Sequence, residues 1–496
     1  MTRPRTVVIV GGGISGLATA FSLQEKATKA GLSIRCTILE SGSSWGGKIV
    51  THRVGEIVTE AGPDSFLSQK QAALDLCTKL GLADQLINTN ETGKKACVLY
   101  GGRLHDLPEG LLSFVPKQLG PFLRSGLLTW KGLARMGLEI AVRPGPSTGD
   151  ESMAAFLRRR FGAQAFERVL EPLMAGIYAG DAEQMSLRAT FPRFFELEQQ
   201  YGSVVRGMMA GKKAASLVST GQPRRTMFVS LKNGLSDLVG ALTSRLTQQG
   251  VELRLGCRVD ALRVRSHELG RWTYDLILHD GSALSAESLV LATPAYVSAE
   301  LLRPLTPIAG GLLDMIPYAS TATIAMAFPA QARSLAIDGF GFIVPRTEGR
   351  DLIAATWTSR KWPYRAPADQ FLVRCYVGGV GRENILQLDD EALTTKVRTE
   401  LAVVSGIRAE PIYTEVNRWW KAMPQYTLGH LNRLAQLDAA VGRYPGLVLT
   451  GAGYRGIGIP DCIRDGAAAA GRVMQDIFGG DSLVRRSDMG TTQSNP

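Results

Sequence analysis

Apolar residues gather in short β-branched runs, and two of these runs, at opposite ends of the chain, lead into the same kind of turn. The first ends at Val10, ahead of Gly11-Gly12-Gly13 and an alanine- and leucine-rich helical pattern. The second ends at Thr450, ahead of four glycines, Pro460 and a run of small residues. Each pattern predicts a buried strand, a glycine turn and the start of a helix. A dinucleotide held between two helix N-termini is the economical interpretation.

The other patterns divide the chain into regions. Strand-like runs at 251–255, 258–262 and 289–294 predict a discontinuous dinucleotide-binding domain built from residues 1–88, 225–300 and 445–478. Residues 89–210 are predicted to be mainly helical, and residues 301–444 to form a second domain around a mixed sheet. The polar segment 479–496 is predicted to be a disordered tail. The fold class is therefore α/β (α+β), with a Rossmann-like domain, a mixed-sheet domain and a helical domain.

Composition excludes several classes of protein. The 496 residues are 45% hydrophobic, enough for a large core. The six cysteines are scattered along the chain, which favours reduced thiols in a cytoplasmic protein. The five histidines form no ligand cluster, so we expect no metal. Glycines interrupt the first apolar run, which argues against a signal peptide. Every apolar run is shorter than the roughly 18 residues of a membrane span.

The formal net charge of +11 indicates attraction to polyanions. The sequence has no zinc-finger spacing, aromatic RNA-binding strand or lysine-rich tail, so a nucleic-acid partner is not expected. A lipid surface or an acidic small molecule remains, beside the alternative of a solvated basic surface without a specific partner. The basic and apolar mixture at 111–136 fits peripheral membrane contact or ordinary core packing.

The first glycine turn has the spacing of a dinucleotide site. Gly11, Gly13 and Gly16 match G-x-G-x-x-G, which provides a tight turn, close approach of pyrophosphate and helix–strand contact. Glu40 ends the next predicted strand, where a carboxylate can accept both ribose hydroxyls. A glycine turn that serves packing alone is the alternative.

The segment after Glu40 separates FAD from NAD. Gly46, Gly47 and Lys48 complete an E-x5-G-G-[RK] arrangement that is similar to that of the amine oxidase and phytoene desaturase flavoprotein superfamily. In that group the two glycines and the basic residue lie along the cofactor's pyrophosphate and flavin end. Most members have arginine where this chain has Lys48, and lysine lacks the planar fork, so we expect a looser contact.

Further motifs, in order along the chain, narrow the resemblance to the FAD-dependent porphyrinogen oxidases. They are Gly62-Pro63-Asp64-Ser65-Phe66, residues 157–162, 171–173, 176–181, 189–192, 362–367 and 423–430, and the turn at 451–463. The resemblance covers residues 6–478. It implies oxidation of a porphyrinogen to a porphyrin in haem biosynthesis, with FAD as cofactor and molecular oxygen as acceptor.

The resemblance also implies site residues. It assigns cofactor binding to Gly11, Gly12, Gly13, Ile14, Ser15, Gly16, Glu40, Ser41, Gly47, Lys48, Gly62, Pro63, Asp64, Ser65, Val259, Trp419, Gly451, Gly458, Ile459, Asp461 and Ile463. It assigns substrate binding to Gly176, by its backbone carbonyl, and to Ile343, Thr356 and Trp362. Family enzymes have leucine and phenylalanine at the last two positions, so Thr356 and Trp362 imply a reshaped and more polar pocket.

Two substrates are consistent with the resemblance. Protoporphyrinogen IX enzymes of eukaryotes place an arginine, which meets a propionate, at the position of Ala96. This departure favours coproporphyrinogen III, which has four propionates, over protoporphyrinogen IX; Lys94 and Lys95 either supply charge or solvate a loop. Another flavin amine oxidase or desaturase, or a porphyrin carrier without catalysis, are the more distant alternatives.

The chemistry requires little from side chains. The resemblance implies that hydride would pass from a bridging carbon to flavin N5 in three cycles that release hydrogen peroxide, and no side chain is predicted to act as catalytic acid or base. The helix near Pro460 is expected to aim N–H groups at the flavin N1–O2 edge. We expect a cytoplasmic protein, with peripheral membrane contact and handover of product to a chelatase as open possibilities. A monomer and a homodimer are both consistent with the sequence.

Overall fold

A computed structural model describes residues 3–90, 96–107, 125–216, 225–266, 272–334 and 338–489. Lys94, Lys95 and the segment 108–124 lie outside the described residues, as does the end of the predicted tail, 490–496.

In chain order, the strands of the described residues are β1 (Arg5–Val10), β2 (Ile34–Leu39), β3 (Thr51–Val54), β4 (Ile57–Glu60), β5 (Phe66–Leu67), β6 (Leu86–Asn88), β7 (Cys97–Tyr100), β8 (Arg103–Asp106), β9 (Phe228–Leu231), β10 (Glu252–Arg254), β11 (Val259–Ser266), β12 (Trp272–Leu278), β13 (Ala283–Ala286), β14 (Ser288–Leu291), β15 (Tyr318–Pro329), β16 (Gly341–Ile343), β17 (Leu352–Thr356), β18 (Gln370–Gly378), β19 (Tyr413–Pro424) and β20 (Leu447–Leu449).

The α-helices of the same residues are α1 (Ile14–Ala30), α2 (Gln71–Lys79), α3 (Trp130–Gly137), α4 (Met153–Phe161), α5 (Ala163–Ala165), α6 (Glu171–Tyr178), α7 (Leu187–Thr190), α8 (Pro192–Tyr201), α9 (Val204–Ser216), α10 (Ser236–Gln248), α11 (Ala295–Leu302), α12 (Pro307–Asp314), α13 (Thr358–Lys361), α14 (Asp390–Ser405), α15 (His430–Val441) and α16 (Ile459–Met489). A π-helical turn, Phe166–Leu170, leads directly into α6.

A five-stranded parallel sheet has the order β10-β2-β1-β14-β20. Its strands come from widely separated parts of the chain, because each short apolar run completes its backbone hydrogen bonds only beside the others. Val7, Ile9 and Ile38 are fully buried in it. Helices α1 and α16 pack against each other on this core, and a Cβ added at Gly466 would lie 2.7 Å from the Ser15 carbonyl oxygen.

A seven-stranded mixed sheet has the order β19-β15-β18-β17-β16-β7-β8. Phe342, Ala355, Cys375 and Ile324 occupy one cross-strand row on the face that packs against α14. The alternate positions, including Ile343, Thr356, Tyr376 and Thr323, point to the other face and are less completely buried. We call this second face the substrate face.

The structure differs from the predicted regions at residues 97–106 and at the end of α16, and α12 and α15 pack on the core of the five-stranded sheet although they were predicted within the domain 301–444. Residues 97–106 form the β7–β8 hairpin of the seven-stranded sheet, although the sequence predicts them within the mainly helical region 89–210. The apolar residues Cys97 and Leu99 are buried in that sheet's core, which explains the pairing with β16. Helix α16 continues to Met489, into the segment 479–496 that was predicted to be a disordered tail.

The mixture of helices with parallel and mixed sheets confirms the predicted fold class. Helices α3 to α9 surround a separate core that includes Phe156, Leu170 and Leu197. Within the described ranges, no helix combines the length and apolarity required to cross a membrane.

Candidate functional site

The first glycine turn is fixed by close backbone approach. The Gly11 N–H donates to the Leu39 carbonyl at 2.8 Å, and Gly11 has a φ of +110°. A Cβ at Gly11 would lie 2.8 Å from the Ala292 carbonyl oxygen, and one at Gly16 would lie 2.0 Å from the Gly11 carbonyl oxygen. Larger residues at these two positions would force the turn apart.

Open space lies beside Gly13, the third glycine of this turn. A Cβ at Gly13 would have no heavy atom within 4 Å, and Gly46 pairs with Gly13 as a parallel bridge. A Cβ at Gly47 would meet the Gly13 Cα at 3.3 Å, so the two glycine segments predicted from the sequence are neighbours. The N–H groups of Ile14 and Ser15 open α1 and have no partner within the helix, which makes this a suitable cradle for pyrophosphate.

Glu40 lies beside the same turn. Its Oε2 accepts the Gly12 N–H and its Oε1 accepts the Gly42 N–H, both at 2.7 Å. A carboxylate offers about four acceptor positions, so the ribose hydroxyls can still bind. The Ser41 hydroxyl is 3.4 Å from Oε1. The chain entering β11 at Val259 is fixed nearby, because the Cys257 N–H donates to the Glu40 carbonyl at 2.8 Å.

The C-terminal turn forms the opposite wall. The Asp465 carboxylate accepts the Thr450 hydroxyl at 2.7 Å and the Gly451 N–H at 3.1 Å. Gly456 has a φ of +128°, and Gly458 directly precedes α16. The carboxylate of Asp461 is buried and paired with Lys70 and Arg464. Its charge is therefore satisfied by the protein itself.

The side chains of Ile459 and Ile463 lie in the core between α16 and the sheet. Ile14 lies in the same core. If these residues contact the cofactor as predicted, their backbone groups must provide most of the contact.

The two glycine turns, Glu40 and the two helix N-termini fit a flavin dinucleotide. The open position at Gly13 leaves room for phosphate, and the nearby carboxylate suits ribose. Lys48 donates from Nζ to the Ala422 carbonyl, and burial lowers the pKa of this amine. Lys48 is thus fixed by its own contact with β19, and the looser contact with the cofactor stays a prediction.

The carbonyl of Ala61 joins the cofactor side to the substrate face. It accepts hydrogen bonds from Thr323 Oγ1 at 2.9 Å, Arg374 Nη2 at 3.0 Å and Trp419 Nε1 at 2.7 Å. These donors lie on β15, β18 and β19. We call the Ala61 carbonyl, its three donors and Asp64 the junction. It fixes Gly62 against Lys48, whose carbonyl oxygen would lie 1.8 Å from a Cβ at Gly62.

Asp64 carries the charge of the junction. Its Oδ2 accepts hydrogen bonds from Lys361 Nζ at 2.8 Å and from Trp362 Nε1 at 3.0 Å, and Ser65 donates to Oδ1. Burial by itself would raise the pKa of Asp64, but Lys361 and Arg374 outweigh it and the pKa is lowered. Asp64 is therefore an anion fixed by its neighbours, and Pro63 connects it to Gly62.

The structure brings three predicted substrate residues onto the same side of the site. A Cβ at Gly176, in α6, would lie 4.0 Å from Ile343 Cγ2. Gly341 pairs with Thr356 in the β16–β17 register, so Ile343 and Thr356 share the substrate face. Trp419 lies on that face through its pairing with Thr321.

Trp362, which the sequence predicts as a fourth residue lining the substrate pocket, does not lie with these three. Its side chain is only 1% exposed, and its indole N–H binds Asp64. A ring with so little accessible surface cannot line an open pocket. The structure instead places Trp362 behind Asp64, where it supports the junction.

The segment after Gly176 is held from two sides. Ala179 has a φ of +48°, unusual for a residue with a Cβ. Arg346 Nη2 donates to the carbonyls of Gly180 at 3.0 Å and Val380 at 3.1 Å, and its Nε lies 3.3 Å from Glu171. Gln425 Nε2 donates to the Tyr178 carbonyl at 3.0 Å. These contacts stabilise a strained turn at the end of α6.

Residues 425–430 link the C-terminal glycine turn to the rest of the site. The Tyr426 hydroxyl donates to the Ala452 carbonyl at 2.6 Å and accepts the Gly456 N–H at 2.7 Å. His430 stacks on Tyr426 with 4.1 Å between ring centroids, and its Nε2 lies 2.9 Å from the Tyr454 carbonyl oxygen. Burial lowers the pKa of His430 to about 4, so it is neutral and donates this bond at ordinary pH.

Sequence reasoning missed Thr323, Arg374 and Lys361 at the junction and Tyr376 on the substrate face. Strand alternation could have indicated that Thr323, Arg374 and Tyr376 point away from the buried core. It could not indicate their partners, which depend on strand order.

The comparisons with known proteins agree with this geometry. The model of the family described as flavin containing amine oxidoreductase matches residues 14–474. The coproporphyrinogen III oxidase of Bacillus subtilis is 36% identical over 473 residues, covering 95% of this chain and 98% of that protein. The chloroplastic protoporphyrinogen oxidase of rice is 31% identical, covering 94% of this chain and 87% of that protein.

A solved structure shows the same architecture. A protein from Exiguobacterium, described as a candidate protoporphyrinogen oxidase, superposes with a TM-score of 0.81 at 33% identity. The match covers 95% of this chain and 99% of that one. FAD is the cofactor that the family match and the geometry of the glycine turns support together. The chain belongs to the flavin-containing amine oxidoreductase family and, within it, to the porphyrinogen oxidases.

Proposed function

We propose that this protein oxidises coproporphyrinogen III to coproporphyrin III, a six-electron step of haem biosynthesis, with oxygen as acceptor. The observation that carries the proposal is the near full-length match to the coproporphyrinogen III oxidase of Bacillus subtilis, at 36% identity. The site geometry is compatible, because a substrate face with partly polar side chains lies across the junction from the glycine turns.

The chain's own groups would bind and orient the substrate. Gly176 lies in the last turn of α6, whose final carbonyls have no helical partner, so its carbonyl can accept pyrrole N–H groups. Ile343 and Thr356 would support the macrocycle on the substrate face. Bound FAD supplies the hydride acceptor, and oxygen restores it with release of hydrogen peroxide. This division of labour requires no titrating side chain.

Protoporphyrinogen IX is the alternative substrate, favoured by the match to the rice enzyme. Ala96 supports coproporphyrinogen III as the substrate. It lies two residues before Val98, which pairs with Ile343, and packs against the helical core as an uncharged side chain. An arginine there would add a cation at the end of the substrate face.

The cellular location of the protein is a further part of its function. We propose a location in the cytoplasm, in peripheral contact with the membrane. The exposed Trp130 and Leu138 support the contact, because Lys131 and Arg135 on the same helix add positive charge near them.

The test compares anaerobically prepared coproporphyrinogen III and protoporphyrinogen IX with the FAD-loaded protein. Porphyrin fluorescence is followed after air is admitted. A higher kcat/KM for coproporphyrinogen III supports the proposal, and a preference for protoporphyrinogen IX supports the alternative. A protein that binds FAD but oxidises neither compound would contradict both.

A further inference from the structure

Arg168 is a partly buried cation without a carboxylate partner among the described residues. Its Nη1 donates to the Leu127 carbonyl at 3.0 Å, and its guanidinium carbon lies 4.2 Å from the Tyr100 ring centroid. Within the described part of the chain, Nε and Nη2 make no hydrogen bond. The edge of the guanidinium that can form two parallel bonds to a carboxylate is therefore available.

Some neighbouring arginines are paired with carboxylates, whereas Arg188 resembles Arg168: its Nη1 donates to the Gly149 carbonyl at 3.0 Å, and its guanidinium carbon lies 4.7 Å from the Phe195 ring centroid. Arg158 pairs with Glu183 at 2.5 Å, and Arg159 pairs with Glu151 at 2.7 Å and with Glu198 at 2.8 Å. Removing a cation from water without an anion is unfavourable, so an anion that reaches the unpaired edge of Arg168 would be bound favourably, and the position of Arg168 decides which anion can reach it. The ring of Tyr100 holds the guanidinium plane in place without neutralising it.

The position of Arg168 relates it to the substrate face. It lies in the π-helical turn Phe166–Leu170, which continues into α6, and π-helical turns are frequent at functional sites. Gly176 lies eight residues further on, about 12 Å along the helix. A propionate arm of a tetrapyrrole and the side chain of an arginine can together span this distance.

Strand β7 independently relates the position of Arg168 to the Gly176–Ile343 contact. Val98 pairs with Ile343, which lies opposite Gly176, and Tyr100 is the next β7 residue on the same face. The helix and the strand thus both extend from the Gly176–Ile343 contact to the Arg168–Tyr100 pair. Arg168 lies at the β7 end of the substrate face.

We propose that Arg168 binds a propionate carboxylate of the porphyrinogen and thereby sets the orientation of the macrocycle beside Gly176. The inference rests on the proposed function and names a charged contact for that substrate. Leu127 and Tyr100 position the guanidinium, and its Nε and Nη2 donate to the two carboxylate oxygens.

The experiment measures KM and kcat for coproporphyrinogen III with the full-length, FAD-loaded protein. We expect Arg168→Gln to raise KM about 10- to 100-fold, the factor for one charged hydrogen-bonded pair, with kcat changed by less than about twofold. Arg168→Lys retains the charge but loses the fork, so its KM should lie between the two. Arg158→Gln is the matched control, because Arg158 also stacks on a ring, that of Phe166 at 4.4 Å, but is already paired.

The outcomes separate this inference from the proposed function. An unchanged KM in Arg168→Gln, or an equal rise in Arg158→Gln, would overturn the role of Arg168 while wild-type turnover still supports the function. A wild-type protein that oxidises neither porphyrinogen removes the proposed function itself. If Arg168→Gln fails to retain FAD, Arg168→Lys decides the question: an increase in KM supports the contact, and an unchanged KM overturns it.

Discussion

The first glycine turn is held together by backbone contacts, whereas the junction is held together by side chains. At the turn, backbone groups meet backbone groups, as where the Gly46 N–H donates to the Gly12 carbonyl at 2.9 Å. At the junction, side chains from β15, β18 and β19 converge on the Ala61 carbonyl, and Lys361 binds Asp64. The turn depends on residues too small to obstruct it, whereas the junction depends on partners distant in sequence.

The largest expected effect comes from adding a methyl group where backbone approaches backbone. In Gly62→Ala the new Cβ would lie 1.8 Å from the Lys48 carbonyl oxygen, which cannot move without displacing the adjoining glycine segment. We expect a loss of more than about 4 kcal/mol in the free energy of unfolding, or failure to fold. Chemical denaturation and FAD content of the purified protein measure this effect.

Gly13→Ala is the matched control. Gly13 has a φ of −72° and open space around a Cβ, so the protein without FAD should retain its stability. The methyl group would instead occupy the proposed pyrophosphate cradle, and FAD affinity should decrease. Equal destabilisation by both substitutions would show that close packing at Gly62 is not what matters.

A smaller but still large effect is expected at the junction. Asp64→Asn removes the anion that Lys361 and Trp362 contact and leaves nearby Arg374 without compensation. We expect a loss of about 3 kcal/mol in the free energy of unfolding. Trp362→Phe, which removes only one hydrogen bond, should lose about 1 kcal/mol. If denaturation gives the same small loss for both, the charge of Asp64 is not central to the junction.

An effect slightly smaller than that of Asp64→Asn concerns the pH dependence of stability and residue His430. Its pKa is lowered by burial from 6.5 to about 4, so the unfolded chain binds more protons between these values. Stability should therefore decrease as pH falls from 6.5 to 4, by about 2 to 3 kcal/mol. In His430→Gln, the difference in free energy of unfolding between pH 6.5 and 4 should be smaller by that amount. An unchanged pH profile in the variant would assign the decrease to other groups.

The sequence predicted the glycine turns well because their requirements are local. Gly11, Gly13, Gly16 and Glu40 lie on consecutive elements, and the strand–turn–helix geometry brings them together wherever it forms. Trp362 was placed wrongly because its motif marks a family position without revealing which way the ring points. The structure shows that the indole binds Asp64.

The β7–β8 hairpin shows a second limit. Alternation can indicate a strand, but it does not identify the sheet that the strand joins. Cys97 and Leu99 find buried partners beside β16, and this pairing places Tyr100 under Arg168. No spacing in the sequence connects those two residues.

The sequence by itself determined the mixed helix and sheet fold, the flavin family and the two glycine turns. These features depend on short-range steric requirements, which produce a recognisable pattern of small residues. Only the tertiary structure decided how the substrate face is built. Three side chains meet at Ala61, Trp362 lies behind Asp64, and Arg168 remains without a carboxylate among the described residues. These relations depend on strand order and on charge pairing across the fold, and both arise only when distant segments pack together.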